Sequence, residues 1–255
     1  MGIPGALRPR SNTEILDAAF ALARRVGPQL LPLSLLIGLP SSVWALRFTS
    51  IISGGASRPA RLGLAYLVMI LIVPALESLR LWVLEAALVE AIQSGQVSWP
   101  AVRRRLASVF GRLVGSWAAL IVLGALCSIP LVVPGVIFTL HRFFYSEVLL
   151  VEGQSVRSSF RHSFALTDGR LGRLGLLLLG GTLLIASLNW GFSLWAGKNL
   201  LGAALGWIGT ACLALLKAAF YLLAYYDLRS RREGLDLLAR DSELESRSLA
   251  TPSPA

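Results

Sequence analysis

The sequence predicts an all-α protein, a polytopic membrane helical bundle of six spans with three short amphipathic interfacial helices. Three observations carry that prediction. Apolar residues make up 55% of the chain and charged residues 15%, where a soluble domain has about 45–50% and about 25%. The charges stand far apart and leave uncharged runs close to the roughly 20 residues that a helix needs to cross about 30 Å of hydrocarbon. The basic residues gather on alternate sides of those runs, as the positive-inside rule requires.

No cleavable leader is expected. The apolar core begins only near Leu30, after Arg8, Arg10, Arg24 and Arg25, and no small-residue cleavage site follows it. Between Arg25 and Arg47 lie 21 uncharged residues, which places span 1 at about 28–46. Span 2 is expected over about 62–82, and its apolar pattern continues past Glu77 to Ser94-Gly95. The 39 residues from Leu113 to Val151 suffice for two crossings, with Pro130 and Pro134-Gly135 supplying the reversal. Spans 3 and 4 therefore fall at about 113–131 and 133–151. The 24 uncharged residues between Arg173 and Lys198 give span 5, and about 200–226, interrupted only by Lys217, gives span 6.

With the N-terminus in the cytoplasm, 18 of the 24 basic residues fall on the cytoplasmic side, and only Arg47, Arg58, Arg61 and Lys198 on the other. The net charge of +10 is thus a topology signal, and nucleic-acid binding is not expected. Residues 1–27 read as a cytoplasmic N-terminus with an interfacial helix, 28–227 as the membrane domain, and 228–255 as a partly disordered cytoplasmic tail.

An amphipathic stretch precedes each odd span. Ile15, Leu16, Ala19, Phe20 and Leu22 share a face behind a Ser11/Glu14 capping box. Val102, Leu106, Val109, Phe110 and Leu113 recur at helical spacing, with Arg103, Arg104, Arg105 and Arg112 largely opposite and Pro100 opening the helix. Val156, Phe160 and Phe164 line up before span 5, with Arg157 and Arg161 on other faces. The predicted architecture is three units of interfacial helix plus transmembrane hairpin. Arg103, Arg104, Arg105, Arg112, Arg157 and Arg161 are the candidate contacts to anionic lipid on the cytoplasmic side.

Ionisable residues inside spans cost at least about 2.5–3.5 kcal/mol at a helix centre and are functional candidates. Glu77, Arg142, Glu147, Lys217 and Asp227 form the candidate intramembrane polar cluster. Glu77 and Arg80 are spaced to pair within span 2, whereas Arg142 and Glu147 face different directions and need partners on other spans. Gly202, Gly206, Thr210, Ala214 and Ala218 form a small-residue stripe suited to close packing within the bundle. Cys127 and Cys212 lie in apolar stretches and read as small hydrophobes. No GxSxG, HExxH or phosphate-binding loop is present, and His162 and Asp168 point to different faces of a helix. Neither catalysis nor a metal or other cofactor is expected.

From span 4 into the third interfacial stretch the chain reads HRFFYSEVLLVEGQSVRSSFRHSFALTDGRLGRLG. It resembles a run in the glycerophosphoryl diester phosphodiesterase membrane-domain family, where a span ends in an apolar-Glu-Gly turn (Val151, Glu152, Gly153). A short helix there ends in a Ser…Leu-Thr-x-Gly pattern (Ser163, Leu166, Thr167, Gly169). The run from Tyr225 to Leu237 is similar to that family's exit from its last span, Tyr-x-Asp-Leu-Arg-x-Arg-x-Glu-Gly. The resemblance covers most of 12–238. It implies the family's membrane architecture and a bacterial inner-membrane location. It does not imply the hydrolase barrel that some members carry, since His141-Arg142 is followed by Phe143 rather than glycine and little chain follows to Ala255.

The expected role is a membrane component that organises anionic lipid, or a membrane or cytoplasmic protein partner, through basic cytoplasmic helices. The alternative is a transporter or permease-like component, for which a polar pocket joining Arg142, Glu147 and Lys217 would speak.

Overall fold

The structure, a computed structural model, describes residues 11–53, 59–128, 132–169, 171–196 and 200–233. The Pro130 reversal, Lys198 and the expected tail beyond 233 lie outside the described residues. Among those described, every regular element is a helix: α1 (Asn12–Ser53), α2 (Pro59–Ser94), α3 (Trp99–Ser128), α4 (Val132–Arg142), α5 (Tyr145–Glu152), α6 (Val156–Thr167), α7 (Leu171–Ala196) and α8 (Leu200–Glu233). Five of them are long and apolar enough to cross a membrane, over Asn12–Trp44, Tyr66–Ser94, Trp99–Gly124, Leu171–Leu188 and Leu201–Arg232.

The start of α1 is set locally. Ser11 Oγ accepts from the Glu14 amide at 3.2 Å, while Glu14 Oε2 accepts from the Ser11 amide at 2.7 Å. This reciprocal box satisfies donors that a helix start leaves unpaired. Helix α8 forms the centre. From Leu213 to Leu228 all but Lys217 are buried, and α1, α2 and α7 pack around it. The α7 contact is close: a Cβ on Gly181 would sit 2.5 Å from Phe220 Cζ, so a larger residue would force the buried ring to shift. The buried residues Ile15, Ala19, Leu22, Val26 and Leu30 of α1 recur at spacings of three and four, placing one stripe on the core.

Two of the three amphipathic stretches do not form separate helices. The first continues into the apolar part of the 42-residue α1, and the second into the 30-residue α3. Only the third stands alone, as α6. Helix continuity prevails because no helix-breaking turn separates stretch from span, and prolines 28, 32 and 40 lie within α1 without ending it.

The expected single helix over 133–151 is replaced by two. Helix α4 has 11 residues, about 16 Å at roughly 1.5 Å per residue, and α5 begins after a turn at Phe143-Phe144. The break is held from outside the segment. Ser163 Oγ donates to the His141 carbonyl at 2.9 Å and accepts from the Phe144 amide at 3.2 Å, replacing backbone bonds lost at the turn. The Arg142 side chain turns away to donate to the Phe160 carbonyl.

Ser163→Ala should therefore lower the unfolding free energy in detergent by about 1–3 kcal/mol, the cost of stranding buried backbone groups. Thermal unfolding followed by circular dichroism measures it, and a change of only a few tenths would show that the turn holds without the hydroxyl.

Candidate functional site

Arg80 is buried, with 2% of its side chain exposed, and reaches three helices. Its Nε and Nη2 donate to Ser34 Oγ on α1 at 3.1 and 3.0 Å, and Nη2 also donates to the Thr210 carbonyl on α8 at 3.1 Å. Nη1 lies 3.3 Å from Glu77 Oε2 on its own helix. Ser34 Oγ in turn donates to the Ala211 carbonyl at 3.0 Å, and Ser41 Oγ donates to Glu77 Oε1 at 2.5 Å. Gly38 makes the space: a Cβ there would lie 2.7 Å from Arg80 Nη1. The small-residue stripe is part of the same joint, since Thr210 carries the accepting carbonyl and Gly202, Gly206, Ala214 and Ala218 are buried inside the bundle.

Glu85 on α2 and Glu147 on α5 are both buried, at 2% and 1% exposed. Ser146 Oγ donates to Glu147 Oε2 at 2.9 Å. Glu85 Oε2 has no hydrogen-bond partner among the described residues. Lys217, half-buried on α8, holds its ammonium 5.5 Å over the Tyr221 ring.

The ends of α1, α5, α7 and α8 meet in a charged junction. Asp227, 3% exposed, accepts from Arg173 Nη2 at 3.3 Å and from Arg231 Nε at 3.0 Å. Arg173 also reaches Asn12 at the start of α1, at 3.4 Å. Glu152 accepts from Tyr225 Oη at 2.5 Å and lies 3.4 Å from Arg229 and 3.5 Å from His162. Gly153 takes the left-handed conformation that ends α5, with φ 66°, and Gly169 follows α6 with φ 73°. Thr167 Oγ1 lies 3.0 Å from His141 Nδ1. The residues of the two family-like runs thus bond to one another across helices far apart in sequence.

The basic residues divide by role. Arg105 donates to the Leu150 carbonyl at 3.1 Å and to Gln93 Oε1 at 2.6 Å. Arg112 donates to the carbonyls of Gly153 and Gln154 at 2.6 and 2.7 Å. Both therefore close the carbonyl end of α5, where unpaired acceptors and the negative helix pole favour cations. Arg103 and Arg104 are exposed on α3. Arg142 joins Arg157 and Arg161, with Val156, Phe160 and Phe164, around an open groove of about 640 Å³ between α4 and α6. Its guanidinium lies 5.4–5.8 Å from the rings of Phe138, Phe160 and Phe164.

The five intramembrane ionisable residues do not form one cluster: Glu77, Lys217 and Glu147 lie around Glu85, and Arg142 and Asp227 stand elsewhere. Glu77 and Lys217 line one cleft, Glu147 sits with Glu85, Asp227 belongs to the junction, and Arg142 belongs to the arginine groove. Sequence reasoning passed over Glu85 as part of an extension of α2, although Trp82, Glu85, Val89 and Ile92 share one helical face and the other three are apolar. Ser34 and Ser163 carry no periodic signal, and only the tertiary structure gives them partners.

Replacing Arg80 by methionine should cost about 1–3 kcal/mol, because Ser34, the Thr210 carbonyl and Glu77 lose a shared donor. Arg80→Lys should recover little of it, since an ammonium lacks the planar fork that reaches three helices. Urea or thermal unfolding in detergent measures both, and wild-type stability in Arg80→Met would show that the joint is dispensable. Comparison of the chain with protein families, curated proteins and solved structures returns no match.

Proposed function

We propose that this chain is a multi-pass protein of the bacterial inner membrane that gathers anionic phospholipid at its cytoplasmic face, with no catalysis of its own. The observation that carries the reading is the α4–α6 groove. Three arginines line it, two phenylalanines flank them, and its lining holds no carboxylate. Cationic heads beside apolar rings suit a headgroup phosphate whose acyl chains lie against the protein. Arg103 and Arg104 on α3 add positive charge.

In this reading the chain is the stand-alone membrane region of the glycerophosphoryl diester phosphodiesterase membrane-domain family, with both termini in the cytoplasm. The bonds that join the two runs, Tyr225 to Glu152 and Arg173 to Asp227, support that assignment. The sixth crossing is then the broken pair α4 and α5, which packs back along α3. Irregular backbone at membrane depth is tolerated where protein covers it, and Tyr145 to Leu150 are buried. Arg142 and Lys217 line different cavities, which favours lipid binding over a permease with one midplane site.

The test compares phosphatidylglycerol with phosphatidylcholine retained by the full chain in non-ionic detergent, read by native mass spectrometry. At about 1 kcal/mol per basic residue near the anionic surface, Arg157→Gln with Arg161→Gln should weaken retention of one bound phosphatidylglycerol about thirtyfold and leave phosphatidylcholine unchanged. An unaltered preference in the double variant would remove the lipid reading.

Orientation has its own check. In a chain with Cys127 and Cys212 replaced by alanine, Arg103→Cys should react with an impermeant maleimide only after the inner membrane is opened. Arg47→Cys should react without opening. The reverse pattern would invert the topology.

A further inference from the structure

Helices α2 and α7 each pack on α8, and where they part they leave a cleft of about 420 Å³. Ser41, Glu77, Arg80, Thr182, Lys217 and Tyr221 supply its polar groups. Val73 and Leu81 on one side and Ile185 and Ala186 on the other supply an apolar mouth. The outer faces beside that mouth are exposed and apolar, with Ile70 on α2 and Leu183 and Leu184 on α7. The cleft therefore opens sideways toward hydrocarbon.

Pairing within it leaves one cation over. Glu77 is taken up by Ser41 and Arg80, and Arg80 is buried in its own contacts. The Lys217 ammonium has one short-range contact, the Tyr221 ring, and no carboxylate among the described residues comes within ion-pair distance of it. The acids that act on it from further off are Glu77 in the cleft and the buried Glu85. An ammonium inside a membrane protein is costly without an anion to meet it, and hydroxyls of Ser41, Ser42, Thr182 and Tyr221 share its cleft.

We propose that this cleft is a second binding site, one that takes the phosphate of a phospholipid entering sideways between α2 and α7, with Lys217 as its counter-charge. Lys217 lies ten residues before Asp227 on α8, or about 15 Å along the helix. A headgroup held there is withdrawn well below the charged junction. The cleft shares no lining residue with the arginine groove, so each site is tested by its own substitutions.

The experiment is native mass spectrometry of the full chain in non-ionic detergent, titrated with phosphatidylglycerol and, in a separate arm, with inorganic phosphate. Lys217→Met should lose one bound phospholipid, with affinity for it falling at least about tenfold, the loss of one charge-assisted contact. Lys217→Arg should keep it, and Arg157→Gln with Arg161→Gln should leave it in place. If Lys217 instead serves only to offset Glu85, the single variant unfolds, and Lys217→Met with Glu85→Gln folds and binds lipid as wild type does; that outcome overturns the proposal. Ala186→Trp, which narrows the mouth and spares Lys217, should also lose the lipid, and retention there would overturn the sideways route. Inorganic phosphate displacing the lipid at equal concentration would likewise overturn that route, whereas lipid retained in excess phosphate supports it.

Discussion

A guanidinium buried among apolar helices is tolerated only where its charge and its donors are met, and Arg80 meets that condition by reaching three helices. Ser34 on α1, the Thr210 carbonyl on α8 and Glu77 on α2 all converge on it. Each partner constrains the others. Gly38 must stay small because the guanidinium lies against it. The Ala211 carbonyl is held by the same serine. The central helix is thus fixed in rotation relative to α1 and α2 at one depth. That rotation turns Lys217 toward the cleft, where the edge of the buried Tyr221 also lies.

A second constraint acts around α5, where backbone groups freed by breaks must be satisfied. The turn between α4 and α5 relies on Ser163, and the carbonyl end of α5 relies on Arg105 and Arg112. Arginines therefore do two kinds of work here. Some hold backbone together from within the protein, and others (Arg103, Arg104, Arg157 and Arg161) stand exposed on α3 and α6. Arg142 lies between these roles, bonded to the Phe160 carbonyl while lining the groove.

What was legible in the sequence was whatever depends on composition and period. Long uncharged runs mark the five long apolar helices, and the Ser11/Glu14 box marks where α1 begins. The Glu77–Arg80 pair follows from spacing alone. What escaped was set by contacts across the fold. The mostly apolar stretch from Val133 to Val151, broken only by a few polar residues such as Arg142 and Glu147, gives no sign of a turn that Ser163 supports. Likewise, the amphipathic pattern before span 1 looks the same whether the helix ends or continues. Charge spacing showed that Arg142 and Glu147 needed partners, and could not show that one would find aromatic rings and a carbonyl while the other sat beside Glu85.

Helix α1 carries three prolines in its interior. Each lacks an amide hydrogen, so the carbonyls of Arg24, Pro28 and Leu36 receive no rung from four residues ahead. With these bonds missing, α1 has three points at which it can bend along the 42 residues that flank the central helix. Bilayers differ in thickness, and a helix adjusts to them by tilting or kinking. The prolines give α1 a means of that adjustment on both sides of Ser34, where Arg80 ties it to α2 and α8.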